Sequence, residues 1–409
     1  MTDNSSNHIL EKSHISLGFI PLTDCAPLAV AQEKGFFNKH GLEVELSREA
    51  SWANIRDKVA LNALDGAQML APMPIAATLG SGLLEQPTIT AFSLSLNGNA
   101  ITVSSALYKR LCEIDAEAIQ VPQQTAHILR QLIQEDQRAG RPPLSFAMVY
   151  PFSSHNFQLR LWLASAGINP DQDVRIIVIP PPYMVDNLAS GTIDGYCVGE
   201  PWNSLAVSED VGRILISGYQ IWNNSPEKVL GVKLSWAEQN PRTHQALLMS
   251  LLEACQWLED HEHWQETAEL LASDAYINTA PENILPSLSG NLHFSPGGAA
   301  VPLPDFSVFH RYAANFPWRS HAQWLIQQMQ RWGQIDPSLS VAELAEHIYR
   351  PDIYREAAQA LNIPAPEMDF KTEGLHDGPW QLTTNSEAIT MGADQLLDGS
   401  QFTPETESI

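Results

Sequence analysis

The sequence predicts an α/β protein built from open sheets that contain many parallel strand pairs. Short apolar segments, rich in β-branched residues, alternate with helical segments throughout the chain before Trp236. The first such unit, residues 15–46, has a strand–helix–strand pattern, and no repeat with a fixed period is visible. Alternation of this kind is typical of α/β folds with parallel strands.

The first unit can be justified residue by residue. Residues 15–19 form a short apolar segment typical of a buried strand. Asp24 can cap the following helix, because its carboxylate accepts an N–H group that has no partner inside the helix. Pro27 suits the first helical turn, and Gly41 predicts the helix end. Residues 42–46 then alternate apolar and charged side chains, as a strand does.

The same reasoning places the later elements. Strands are predicted at residues 67–70, 88–92, 100–104, 144–150, 174–179, 193–198 and 229–234. Helices are predicted at residues 51–64, 123–137, 155–166, 183–189, 243–258, 261–271, 321–332 and 341–349. Asn97-Gly98-Asn99 is typical of a tight turn, whereas residues 108–121 show no clear pattern. The chain after Trp236 is therefore expected to be mostly helical.

The composition excludes one class of function. The 409 residues suffice for two domains, and 47 acidic against 23 basic residues give a formal net charge of −24. This charge repels nucleic-acid phosphates, so we expect no direct binding to DNA or RNA. It also repels small anions, so any affinity for anions must come from local hydrogen-bond donors.

Several features predict a cytoplasmic protein. Residues 1–14 are polar, so we expect a flexible N-terminus. They also lack the apolar core of a secretory signal, which favours a cytoplasmic location. The longest apolar stretch, residues 69–84, is interrupted by Pro72 and Pro74 and is too short to span a membrane. The four cysteines are widely spaced and are typical of free thiols: Cys25, Cys112, Cys197 and Cys255.

Catalytic motifs are not found in the sequence. It has no Walker loop, no nucleophile elbow and no helix with two histidines at metal-binding spacing. His261 and His263 are two residues apart, which on a helix directs them to different sides. We therefore expect neither an enzyme, nor a cofactor, nor a metal site.

Four hydrogen-bond donors lie at predicted strand ends or helix starts. Trp52 has an indole N–H, Asn99 lies in a turn, and Lys228 precedes a strand. His155 begins a helix, where the backbone N–H of Asn156 is expected to be free. Each residue also has an ordinary structural explanation: a core aromatic, a turn former, a solvated charge and a capping residue. Spacing alone does not decide between these explanations.

Nearly the whole chain resembles the nitrate- and bicarbonate-binding proteins of ABC transporters and their cytoplasmic nitrate/nitrite-sensor relatives. The matching segments are LGFIPLTDCAPL (17–28), residues 50–52, DGAQMLAPMP (65–74), WLASAGINPDQD (162–173), PPPYMV (180–185), GTIDGYCVGEPW (191–202), PEKVLG (226–231), FPWRSHAQWLIQQMQRWG (316–333) and residues 394–404.

The resemblance implies a two-lobed clamp of the type II periplasmic-binding-protein class, with mixed open sheets and helices on both faces. Lobe one would comprise residues 15–97 and 234–409, and lobe two residues 98–233. In nitrate-binding members a Trp, a Gln, a His with the following residue, and a Lys hold the anion. Trp52, His155, Asn156 and Lys228 match those positions. Asn99 stands where the Gln is expected and is one methylene shorter.

Two further expectations follow from the resemblance. Bicarbonate-binding relatives carry an acidic residue at the Lys228 position, so Lys228 favours nitrate or nitrite. Glu200 would oppose an anion, so we expect it to pair with Lys228 or His155 behind the ligand. Asn156 replaces a residue that is Gly in the family, and with Asn99 this changes the expected size of the pocket.

The polar N-terminus indicates which class of relative this chain resembles more. It favours a cytoplasmic nitrate/nitrite sensor of the NasS type, which holds an RNA-binding, NasT-type antiterminator until the anion binds. The alternative is the substrate-binding component of a nitrate/nitrite ABC transporter. A third class, the enzymes of this fold that make a thiamine pyrimidine, has no supporting cofactor lysine or Cys-rich motif here.

Overall fold

The structure is a computed structural model that describes residues 9–81, 84–384 and 386–406. Of the N-terminus predicted to be flexible, residues 1–8 lie outside the described part. The strands are β1 His14–Phe19, β2 Glu43–Arg48, β3 Gly66–Leu70, β4 Thr88–Asn97, β5 Asn99–Ser104, β6 Ser145–Met148, β7 Arg175–Val178, β8 Gly195–Gly199, β9 Gly212–Ser217, β10 Pro226–Lys233, β11 Asn291–His293, β12 Ala300–Pro302, β13 Ser307–Val308, β14 Trp380–Leu382 and β15 Ile389–Met391.

The helices follow the same chain order. They are α1 Ala26–Glu33, α2 Phe36–Lys39, α3 Trp52–Ala60, α4 Met73–Thr78, α5 Ser105–Ile114, α6 Thr125–Arg138, α7 Ser154–Ser165, α8 Met184–Ala189, α9 Trp202–Ser208, α10 Gly218–Ile221, α11 Leu234–Gln239, α12 Pro241–Glu259, α13 Trp264–Leu271, α14 Pro281–Ser289, α15 Arg319–Arg331, α16 Val341–Ile348 and α17 Pro351–Ala360. No helix in the described ranges is both long enough and apolar enough to cross a bilayer.

Two open sheets organise the described residues. A six-stranded sheet has the order β13-β4-β10-β3-β1-β2, and a five-stranded sheet has the order β7-β6-β8-β5-β9. In the first sheet β1 pairs in parallel with β2 and β3, whereas β10 is antiparallel to both of its neighbours. In the second, β6 is parallel to β7 and β8, and β5 is antiparallel to its neighbours. The predicted α/β class with mixed open sheets is confirmed.

The chain crosses between the sheets at two adjacent places. The first crossing is Gly98, between β4 and β5, with φ of +89°, a conformation that residues with a side chain rarely adopt. The second is the segment from α10 to β10. The two crossings are hydrogen-bonded, because the Ser225 N–H donates to Asn97 Oδ1 at 2.9 Å. The predicted turn at residues 97–99 therefore joins two sheets rather than two strands of one hairpin.

Strand β10 corrects one assignment in the predicted lobes. Sequence reasoning placed residues 98–233 together and the return strand at residues 229–234. The return strand instead begins at Pro226 and lies between β3 and β4, where every residue of it is buried. Lys228 is therefore on the six-stranded side, because its strand pairs with β3 and β4. The other lobe boundaries stay a prediction.

Two local differences have clear causes. The first predicted helix is interrupted after Glu33, because Gly35 adopts φ of +75° before the short helix α2. The segment without a clear pattern contains helix α5, which is capped by Ser104 and buries Leu107 and Leu111 at a spacing of four residues.

The C-terminal part contacts both sheets. The β11–β12 hairpin packs on the five-stranded sheet, where the Ile214 N–H donates to the Phe294 carbonyl at 3.0 Å. Residues further along bind the second crossing: the Leu397 N–H donates to the Ile221 carbonyl at 2.7 Å, and the Asn223 N–H to the Gln395 carbonyl at 2.9 Å. The helices α12 and α17 pack together and beside the six-stranded sheet.

Candidate functional site

A fully buried cluster of charged side chains lies where the two sheets meet. Its centre is the carboxylate of Glu227. His155 Nε2 lies 2.5 Å from Glu227 Oε1, and Lys228 Nζ lies 2.5 Å from the same oxygen. Asn99 Nδ2 donates to Glu227 Oε2 at 2.8 Å, and Ser154 Oγ donates to it at 2.5 Å. Each carboxylate oxygen therefore has two close donors.

Helix α7 directs two of these donors at Glu227. Ser153 caps the helix, since its hydroxyl accepts from the Asn156 N–H at 3.0 Å. Ser154 and His155 then form the first turn, whose N–H groups and dipole favour a nearby negative charge. The expectation of a free Asn156 N–H was wrong, because the cap uses it. The side chain of Asn156 is also used locally: its Nδ2 donates to the Pro151 carbonyl at 2.8 Å.

Strand β10 supplies two consecutive charged residues to the cluster. In a regular strand, neighbouring side chains point to opposite faces of the sheet. The pairing of β10 with β4 shifts register around Lys228, which is the mark of a bulge. This irregularity explains how the Lys228 ammonium group can contact the carboxylate of the adjacent Glu227. Both side chains have no exposed surface.

Asp24 provides a second carboxylate. Lys228 Nζ lies 2.7 Å from Asp24 Oδ2, and Gln68 Nε2 donates to Asp24 Oδ1 at 2.5 Å. Gln68 is held in turn by the Ile20 N–H, which donates to its Oε1 at 2.9 Å. The predicted capping role of Asp24 was wrong: its side chain makes no cap bond and instead pairs with Lys228. A buried ammonium needs such partners to remain charged.

Trp52 lies beside the cluster at the start of helix α3. Ser51 caps this helix as predicted, with its hydroxyl accepting from the Asn54 N–H at 3.3 Å. The Lys228 ammonium lies 5.5 Å from the centroid of the Trp52 rings. The indole N–H is buried and has no acceptor among the described residues. It is therefore a donor available to a small ligand.

Burial and charge set the protonation of the cluster. Burial acts to raise the pKa of Glu227, but the charges of His155 and Lys228 outweigh burial and lower that pKa from 4.5 to about 2. Burial raises the pKa of Asp24, and the charge of Lys228 opposes it only in part. Burial acts to lower the pKa of Lys228, yet the carboxylates of Asp24 and Glu227 raise it. Lys228 is thus a permanent cation shared by two acids.

Glu200 does not make the predicted pair. Its Oε2 accepts from the Ser204 N–H at 3.0 Å, in the first turn of helix α9. Among the described residues it forms no ion pair with Lys228 or His155, because Asp24 and Glu227 already hold those two. Burial raises the pKa of Glu200 to about 7. The predicted position of Glu200 behind the ligand is therefore corrected.

Sequence reasoning identified three of the four side chains that contact Glu227 as donors: Asn99, His155 and Lys228. It also identified Trp52, which lies beside the cluster, but it missed several partners. It did not identify Glu227, Asp24, Gln68 or Ser154 as members of the site. Ser154 could have been found, since it is adjacent to His155 at a predicted helix start. Glu227 carries no signal of its own, because an acidic residue beside a lysine is ordinarily a solvated charge. Asp24 was assigned to a helix cap, which is the ordinary role of an aspartate before a helix.

The arrangement can hold a planar anion. A carboxylate is a planar group that accepts hydrogen bonds, and here it is surrounded by amide, hydroxyl, imidazole and ammonium donors. Within the described ranges, no group of three or more His, Cys, Asp and Glu side chains is arranged to hold a metal ion. The site therefore has the chemistry of anion recognition.

Two linked open sheets with a polar site at their junction define a solute-binding protein fold. The chain belongs to the NMT1-like family, whose model matches residues 9–272, and within it to the nitrate/bicarbonate substrate-binding proteins. The crystal structure of the periplasmic nitrate-binding protein NrtA from Synechocystis PCC 6803 superimposes with a TM-score of 0.84 and 30% identity. The match covers 97% of this chain and 96% of that chain.

Two curated relatives are longer proteins. The nitrate import ATP-binding protein NrtC of Synechocystis PCC 6803 is 44% identical over 90% of this chain and 53% of its own length. The bicarbonate transport ATP-binding protein CmpC of Synechococcus elongatus PCC 7942 is 41% identical over 88% of this chain and 51% of its own length. The chain thus spans about half the length of these relatives.

Proposed function

We propose that this chain binds nitrate or nitrite at the junction of its two sheets. The observation that supports this best is the convergence of Asn99, His155 and Lys228 on one planar carboxylate, with the Trp52 N–H beside them. All four residues were predicted as ligand-binding from the resemblance of the sequence to nitrate-binding proteins. A superimposable relative is named as a nitrate-binding protein.

The donor chemistry supports a fully deprotonated oxyanion. Nitrate and nitrite carry no proton, so they can only accept hydrogen bonds, and all four side chains can donate. Each charge-assisted bond in such a site contributes roughly 1.5–3 kcal/mol. Bicarbonate remains the main competitor, since a relative at 41% identity is named as a bicarbonate transport protein.

We propose that binding draws the two sheets together. Trp52 and Lys228 lie on the six-stranded side, whereas Asn99 and His155 lie on the five-stranded side. We retain the predicted division into two lobes, with residues 226–233 moved to the first. An anion that contacts both sides favours the closed arrangement by its difference in affinity for the two states.

The role that the relatives favour is in transport. NrtC is named as a nitrate import protein and NrtA as a periplasmic nitrate-binding protein, so we propose a substrate-binding component or domain of a nitrate/nitrite ABC transporter. This is preferred over the sensor that sequence reasoning ranked first. The proposal involves binding without turnover, as expected of a binding protein rather than an enzyme.

A cytoplasmic sensor that controls an RNA-binding, NasT-type antiterminator is the second candidate. The net charge of −24 favours it, because an acidic surface suits a basic, RNA-binding partner. Size-exclusion chromatography of the chain with such an antiterminator distinguishes the two roles. A complex that dissociates on addition of nitrate supports the sensor, and separate elution at all nitrate concentrations rules it out.

Calorimetric titration tests the binding site. We expect the wild-type chain to bind nitrate or nitrite, and His155→Ala to weaken binding at least ten-fold, since it removes a buried imidazole donor. The matched control is His321→Ala, another buried histidine beside a glutamate, which should change affinity less than two-fold. Equal affinities of wild type and His155→Ala, with both proteins folded by circular dichroism, would rule out the site.

A further inference from the structure

The carboxylate of Glu227 stands where the proposed ligand would bind. Asn99, His155 and Lys228, three of the four donors proposed for the anion, all contact it. Resting on the proposed function, we infer that Glu227 is a built-in competitor: its carboxylate holds the anion donors, and a diffusible planar oxyanion binds by displacing it. Glu227 then determines both the affinity and the ligand shape that the site accepts.

The contacts match those of a bound oxyanion. Glu227 Oε1 is approached by His155 and Lys228, and Oε2 by Asn99 and Ser154. The carboxylate, like nitrate, is planar, singly charged and able only to accept hydrogen bonds. All of these side chains are at least nine-tenths buried, so water does not satisfy the donors in its place. The donors are thus already in contact with a group of the right shape.

The carboxylate also joins the two sheets. Glu227 belongs to β10 of the six-stranded sheet, whereas Asn99, Ser154 and His155 belong to β5 and α7 on the five-stranded side. A diffusible anion was proposed to bridge the same two sides. Glu227 therefore bridges the two sheets as the ligand is proposed to do. The carboxylate and the ligand cannot contact the same donors at the same time.

Charge argues for displacement rather than addition. The groups that face one another here are the carboxyl groups of Asp24 and Glu227, the imidazole of His155 and the ammonium of Lys228. A diffusible anion placed beside the Glu227 carboxylate would bring two buried negative charges against the same donors, which is strongly unfavourable away from water. A tethered competitor also acts at an effective concentration on the order of millimolar or above, so it weakens the binding of any diffusible anion.

Glu227→Ala tests the inference because it removes the competitor and leaves a space of carboxylate size. We expect calorimetry to give at least ten-fold tighter nitrate binding than in wild type. Formate, a free carboxylate, should bind the variant at least ten-fold more tightly than it binds wild type, and it should raise the melting temperature of the variant by several degrees more. Tetrahedral sulfate should do neither. Glu373→Ala is the matched control, since Glu373 is equally buried and also contacts a histidine, a lysine and a serine.

The outcomes separate the inference from the proposed function. Nitrate affinity in Glu227→Ala equal to or below that of wild type overturns the inference, while binding by wild type keeps the proposed function. Binding by the variant alone overturns both the proposed function and the inference, because no diffusible anion then displaces Glu227 in the wild-type chain. If neither protein binds nitrate, nitrite or bicarbonate, the proposed function fails. Glu227→Gln replaces the alanine variant if that protein does not fold, with the same expected gain in nitrate affinity.

Discussion

Two buried glutamates in this chain have nearly the same surroundings and different places in the fold. Glu227 contacts Ser154, His155 and Lys228. Glu373 contacts Ser320 at 3.1 Å, His321 at 3.3 Å, and Lys371. In both clusters a consecutive Ser-His pair lies in the first turn of a helix, α7 or α15. Opposing charges outweigh burial and lower both glutamate pKa values to about 2.

The difference lies in what each cluster joins. Glu373 fixes the C-terminal segment to helix α15, and its backbone pairs with Phe402 of the same segment. Glu227 joins the two sheets and shares its lysine with a second acid, Asp24. Identical side-chain chemistry therefore anchors a segment in one place and forms a candidate binding site in the other. The position of the donors relative to the two sheets, and not their type, distinguishes the two.

Removing the lysine from each cluster should show the largest contrast. Lys228→Met leaves both Asp24 and Glu227 buried without an ammonium partner, so we expect a loss of about 4–5 kcal/mol in the free energy of unfolding. Lys371→Met leaves Glu373 with His321 and Ser320, and we expect about 1–3 kcal/mol. Urea unfolding at pH 7 measures both values. Equal losses would contradict the view that Lys228 serves two acids.

Acid should destabilise both clusters, but unequally. A glutamate whose pKa falls from 4.5 to about 2 on folding contributes stability above pH 4.5, and this is lost as the pH falls towards 2. The expected loss is about 2–3 kcal/mol for each glutamate. Asp24 acts oppositely, because burial raises its pKa and its protonation favours the folded state.

Two matched variants test this pH dependence. Glu373→Gln should flatten the fall in unfolding free energy between pH 5 and pH 3, measured in urea. Glu227→Gln should flatten it less, because Asp24 already offsets part of the loss in that cluster. A steeper acid loss in either variant than in wild type would show that the assigned glutamate is not responsible.

The sequence predicted the fold better than the partners within the site. Alternating strands and helices identified the class, since periodicity and caps such as Ser51 are local signals. Trp52, Asn99, His155 and Lys228 were found as donors at element ends. The sheet that contains Lys228 was not predicted. The sheet to which a strand belongs depends on pairing with residues far away in the chain, here Gly66–Leu70 and Thr88–Asn97.

Charged partners were missed for a related reason. Glu227 was passed over beside Lys228, since two adjacent charges in a strand ordinarily face opposite sides and reach solvent. The bulge that brings both into the interior is visible only in three dimensions. Asp24 was assigned to a local cap, whereas its partner is about two hundred residues away in sequence. Helix-capping and strand-alternation rules predict only partners that are close in sequence. The cluster is built from side chains that are far apart in sequence.

Two tryptophans allow the smallest and most specific comparison. Trp52 lies beside Lys228, and Trp222 packs edge-on against His321 with the ring centroids 5.9 Å apart. Both indole N–H groups are buried without an acceptor among the described residues. Replacing either with Phe removes an unpaired donor and leaves a small cavity in the core, so both unfolding free energies should fall by a similar amount, about 1–2 kcal/mol. Trp52→Phe should nevertheless weaken nitrate binding roughly five-fold by calorimetry, about 1 kcal/mol, because the ligand would accept that N–H. Trp222→Phe should leave nitrate binding unchanged, since Trp222 packs against His321 of the Glu373 cluster and not beside Lys228. An equal effect of the two substitutions on affinity would mean that contact with the Lys228 cluster does not distinguish the two indoles.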